Sequence, residues 1–162
     1  MENEQIATYL NDHLSGSVVA LELLEHLETV HADTSLARLL VALRKEITAD
    51  RQELELLMSR LKITQSLTRK ATAWLAEKTT EIKLQLDDPG NGALRLLETF
   101  EILSLGIEGK RGMWLALAAA SENAVILRSV DYRRFVKRAE EQRQRVEVMR
   151  LEVAKKALSV SP

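Results

Sequence analysis

The chain has 162 residues, of which 46% are hydrophobic, 29% charged and only 4% aromatic, with a formal net charge of −1. It contains no cysteine, which excludes a disulfide scaffold, a zinc–thiolate site, an iron–sulfur cluster and a cysteine nucleophile. Six glycines and two prolines in such a length leave a sequence rich in helix formers and poor in strand and turn formers, so an all-α domain with a proper core is expected.

The opening MENEQ has no basic region followed by an apolar one, so it does not read as a secretory signal. The longest uninterrupted apolar run, Met113 to Ala120, is far shorter than the ~20 residues that cross a bilayer. A cytoplasmic protein without a membrane span is expected.

Helices are expected at about 3–30, 35–61, 66–87, 92–121 and 131–158, in a single domain over 1–162. In the first, Ile6, Leu10, His13, Ser17, Ala20, Leu24 and His31 fall on one stripe at ~100° per residue. The break at Ala32-Asp33-Thr34-Ser35 supplies caps for the second helix. Its stripe is Leu36, Leu39, Leu40, Leu43, Ile47, Leu54, Leu57 and Leu61, interrupted by Asp50. The third helix turns Leu67, Ala71, Trp74, Leu75, Ile82 and Leu86 inward, with Lys78 among them. Asp87-Asp88-Pro89-Gly90-Asn91-Gly92 then breaks the chain.

The segment from Gly92 to Asn123 is apolar on nearly every side, the mark of a buried central helix. Its main face is Leu96, Phe100, Leu103, Ile107, Trp114 and Leu117. Glu98, Glu101 and Glu108 occupy a different arc, whereas Lys110 and Arg111 fall on or beside the apolar face. An apolar excess remains, to be covered by the fifth helix or by a second subunit. Asp131 is placed to cap that fifth helix, whose stripe is Tyr132, Phe135, Ala139, Val146, Met149, Val153 and Ala157. From Arg128 to Lys156 there are ten basic and five acidic residues, against thirteen and nineteen in residues 1–127. The last helix is thus basic and the rest of the chain acidic.

Four kinds of chemistry can be weighed on these residues. Gly106, Gly109 and Gly112 in SLGIEGKRGMW lack the preceding strand of a phosphate loop and read as small residues for close helix packing. No nucleophile elbow is present, and all three histidines lie in or at the end of the first helix. A di-iron or manganese bundle requires two Glu-x-x-His pairs; the chain has one, Glu28 and His31, in the last turn of its helix. The basic RRFVKRAEEQRQR segment suggests phosphate binding, but interleaved acids and few aromatics argue against nucleic acid and for a solvated face complementing an acidic body.

The helix lengths, with the segments LRKEITADRQELELL and LLETFEILSLGIEGKRGMW, resemble the ferritin-like superfamily, and more narrowly an uncharacterised bacterial group of that type. The resemblance implies a ferritin-like or up-and-down bundle of four core helices plus one, with 67–86 able to serve as a crossover. The family's metal ligands do not carry over: the second helix offers Ile47 with Asp50, or Glu46 with Ala49, and the central helix has no histidine. The remaining inward polar residues, His13, Asp50, Lys78, Lys110 and Arg111, form the candidate buried network. A buried pairing of Asp50 with one of the three cations would fix helix register. The expectation is a non-catalytic scaffold or interaction module, without a cofactor, that self-associates or binds another protein. A metal-binding ferritin-like protein holding iron or manganese is the alternative, and a nucleic-acid-associated helical protein the second.

Overall fold

A computed structural model describes residues 2–66, 73, 77, 80 and 92–160. Among them are four long α-helices, one short 3₁₀ turn and no strand: α1 (Glu2–Val30), α2 (Ala37–Arg60), α3 (Gly92–Ala120), the 3₁₀ turn Val125–Leu127, and α4 (Tyr132–Ala157). The all-α expectation holds, with four long helices in place of five. Of the expected helix over 66–87, Ala73, Glu77 and Thr80 are helical; its other residues from 67 on, Lys78 included, lie outside the described residues. The chain divides into two compact units, Met1–Thr80 and Glu81–Pro162. α1 packs on α2 in the first, and α3 on α4 in the second.

α1 buries Leu10, Leu14, Leu23, Leu24 and Leu27, a leucine stripe that leaves His13, Ser17 and Ala20 at its half-buried edge. α2 presents Leu40, Leu43, Ile47, Leu54, Leu57 and Met58 inward, the face expected from its periodicity. The residue before its first turn, Leu36, makes no side-chain capping bond; the Thr34 hydroxyl accepts the Leu36 N–H at 3.3 Å. α2 ends where Lys62 adopts a left-handed backbone (φ 56°). There the Ile63 N–H reaches back to the Met58 carbonyl at 2.9 Å and the Lys62 N–H to Ser59 at 3.0 Å. This double closure normally takes glycine, because a Cβ is crowded in that conformation. The chain leaving α2 is then held by Asn11 of α1, whose side-chain oxygen accepts the Ser66 N–H at 2.7 Å while its amide donates to the Thr64 carbonyl at 3.2 Å. The end of α2 therefore lies beside the first turns of α1, and the pair is antiparallel.

In the second unit Asp131 caps α4 as expected, accepting the Arg134 N–H at 3.2 Å. Tyr132 donates its hydroxyl to the Leu127 carbonyl at 2.9 Å, tying the 3₁₀ turn to the start of the helix. α3 buries Leu96, Leu97, Phe100, Leu103, Ile107, Met113, Trp114 and Leu117, and α4 answers with Tyr132, Phe135, Ala139, Gln142, Val146 and Val153. Trp114 meets Phe135 at 4.7 Å between ring centres. Its indole N–H is buried with no acceptor among the described residues, so aromatic contact has to outweigh an unmet donor that costs about 1–3 kcal/mol.

Two substitutions check this account by urea denaturation. Phe100→Ala, at a site with no exposure, is expected to lose about 3–5 kcal/mol. Lys62→Gly is expected to gain about 1 kcal/mol by relieving the left-handed residue.

Candidate functional site

The Glu28–His31 pair is drawn into the hairpin itself. The Glu28 carboxylate receives the Arg44 Nε–H from α2 at 2.6 Å, and this bond raises the Arg44 pKa. His31 lies just beyond the last residue of α1, where its carbonyl accepts the Thr34 N–H at 3.0 Å and the Thr34 hydroxyl at 2.8 Å. Among the described residues no three His, Asp or Glu side chains converge as ligands for a metal ion.

Of the inward polar residues, His13 and Asp50 lie in the first unit and Lys110 and Arg111 in the second. Asp50 is buried, at 3% exposure, amid the leucines of α2, where a carboxylate needs compensating partners; Lys78 is outside the described residues. His13 is half-buried and meets the Tyr9 ring edge-on at 4.8 Å. Lys110 donates to Gln142 of α4, a fully buried glutamine. Arg111 is not buried: it lies at the flank of α3, bonded to Glu108 at 2.9 Å and facing Glu140 of α4 at 3.5 Å.

That flank is a register device. Glu101 of α3 pairs with Arg150 of α4 at 3.3 Å, Glu108 with Arg143 at 3.7 Å, and Arg111 with Glu140 at 3.5 Å. Seven residues forward on α3 match seven back on α4, and the next pair moves three on each. This is the spacing at which one helical face returns. Glu101 and Glu108 of the arc seen in the sequence are thus met by arginines of the basic helix, whereas Glu98 pairs with Arg95 of α3 itself at 2.7 Å. Elsewhere on α4, Lys137 lies 3.8 Å from Glu141 and Lys155 2.5 Å from Glu152, while Arg134 and Arg138 stand over the Phe135 ring at 4.9 and 5.3 Å.

The opposite side of α3 is open. Leu105 is 73% exposed and Ile102 40%, and Gly109, Gly112, Ala116 and Ala119 continue the stripe at exposed positions. A Cβ placed on Gly106, Gly109 or Gly112 would meet nothing within 4 Å. α4 therefore covers only part of the apolar excess, and the expectation of burial on nearly all sides fails because the face away from α4 stays exposed. No helix is long and apolar enough to cross a membrane among the described residues. No protein-family model, curated protein or solved structure matches this chain.

Sequence reasoning missed Asn11, Arg44 and Gln142. Asn11 and Arg44 sit among polar neighbours that look solvated, and Gln142 is flanked by charges. Nothing in the periodicity marks any of the three as a contact across a hairpin.

Two titration ranges follow. Burial, outweighing the nearby Asp12, lowers the His13 pKa below its ordinary 6.5; burial and then the charge of His26 do the same to His31. The unfolded chain takes up these protons first, so stability falls as pH drops from 6.5 through the lowered values. The Arg111 and Arg150 guanidiniums hold Glu108 and Glu147 below the ordinary 4.5, and that contribution, present above 4.5, is lost as pH falls through their lowered values. Urea midpoints measured from pH 8 to pH 3 should decline in these two ranges, and His13→Gln combined with His31→Gln should flatten only the upper one. Separately, Asp50→Asn is expected to lower stability by about 1–3 kcal/mol; an unchanged midpoint would show that no buried pairing involves Asp50.

Proposed function

We propose that this chain is a non-catalytic helical interaction module, a bundle of ferritin-like type, whose working surface is the outer face of α3. The observation that carries this reading is the contrast between the two sides of that helix. Toward α4 it combines a packed apolar face with a flank of matched ion pairs. Away from α4 it carries Ile102, Leu105, Gly109, Gly112 and Ala116, all exposed, with Glu98 on the same arc at its N-terminal end and Glu101 beside it. Apolar surface of this continuity is costly to leave in water and is the common mark of a protein-binding face. The engagement of Glu28 by Arg44 favours a structural role for that carboxylate. The ferritin-like type is supported by the long helices and by the two segments at 43–57 and 96–114.

The test is genetic complementation in a strain whose phenotype depends on this chain. Leu105→Glu is expected to leave the thermal midpoint within about 2 °C, as exposed substitutions do, yet fail to complement. Glu28→Ala with His31→Ala is expected to complement. The reverse pattern, with stoichiometric iron or manganese in the original protein that is lost in the second variant, would reject the interaction-module reading in favour of metal binding.

A further inference from the structure

We propose that the partner of α3's outer face is a second copy of this chain, docked with its own α3 antiparallel across Gly109 and Gly112. This rests on the reading of that face as the working surface.

Three features of the stripe select a second copy. First, it is self-complementary in size. A two-fold axis that sets Gly109 opposite the second copy's Gly112 also sets Leu105 opposite Ala116 and Ile102 opposite Ala119. Large side chains on one helix then meet small ones on the other, as an isologous interface requires. A parallel pairing would instead oppose Leu105 to Leu105 and leave the glycines facing a gap.

Second, the charges agree with the antiparallel sense. Glu98, on the same arc at the start of α3 and paired there with Arg95 at 2.7 Å on its own helix, would face the end of the other α3. There the exposed Arg128 donates to the carbonyls of Ser121 and Glu122 at 2.9 and 2.7 Å, and it pairs with no carboxylate among the described residues. A parallel arrangement would bring Glu98 against its own copy.

Third, nothing among the described residues approaches the glycines. Each costs a helix roughly 0.5–1 kcal/mol relative to alanine, and added Cβ atoms at Gly106, Gly109 and Gly112 meet only open space. Close approach of another backbone gives that cost a reason. The stripe from Ile102 to Ala119 is about 27 Å long at 1.5 Å per residue. Two such faces bury on the order of 1,000 Å², the lower end for specific interfaces, so a weak, concentration-dependent dimer is expected.

Sedimentation equilibrium of the full chain tests this. The expected result is a reversible dimer with a dissociation constant on the order of micromolar. Leu105→Glu should weaken it by about tenfold or more, with helical content unchanged. Gly109→Ala combined with Gly112→Ala should raise the thermal midpoint while weakening the dimer about tenfold, a split that general destabilisation cannot produce. Glu98→Lys should also weaken association, and added salt should weaken the original dimer. A chain that stays monomeric to about 1 mM, or a dimer indifferent to Leu105→Glu, overturns the proposal. A monomeric chain whose Leu105→Glu variant still fails to complement removes only the second copy as partner. A dimer dissolved by Leu105→Glu without loss of complementation supports the dimer and removes the interaction-module reading.

Discussion

The second unit depends on the antiparallel register between α3 and α4. Apolar burial drives the two helices together but is nearly indifferent to a slip along the axis. The flanking charges are not indifferent. Glu101, Glu108 and Arg111 meet Arg150, Arg143 and Glu140 in order, and a shift of one turn would bring like charges together or leave all three pairs unmade. Each pair is exposed and contributes little to stability; their shared spacing makes them a determinant of alignment. Once that alignment is set, Trp114 comes to Phe135 and Lys110 to Gln142.

The first unit reaches an antiparallel pair by other means. At one end Glu28 and Arg44 bridge the helices beside the turn. At the other, left-handed Lys62 stops α2 and turns the chain toward Asn11, whose side chain takes both a donor and an acceptor from the departing backbone. Polar groups that would be costly at a packed edge are satisfied by each other. Glu28 illustrates the consequence for function: the residue with the most metal-like spacing in the sequence is held by an arginine sixteen positions away.

α3 joins these themes. It is the most apolar of the helices, yet the side away from α4 is open and lined with glycine and alanine around Leu105 and Ile102. A helix built only to complete one chain would carry charges there and alanines in place of glycines. Under the proposed interaction-module reading, its composition would have a second packing partner, outside the chain.

Much of the local structure was legible without coordinates, because helix formation follows from short-range rules. The 3.6-residue stripe of α2, the Asp131 cap and the break at 32–35 depend on neighbours within a turn or two, and the boundaries of the four described long helices fall within two residues of those expected. The separation of the glutamate arc from the apolar face of α3 was likewise a matter of angles along one helix. Which charges meet could not be read this way. Arg111 lies near the apolar face by angle but at the flank in space, since the direction of α4's approach sets where the face ends. Glu28 and Arg44, Asn11 and Ser66, and Lys110 and Gln142 are joined only after two helices have packed. Periodicity within one helix carries no information about the residue that will stand opposite on another. The sequence by itself determined helices, stops and apolar stripes; the tertiary structure decided which stripe stayed uncovered and which charges were matched.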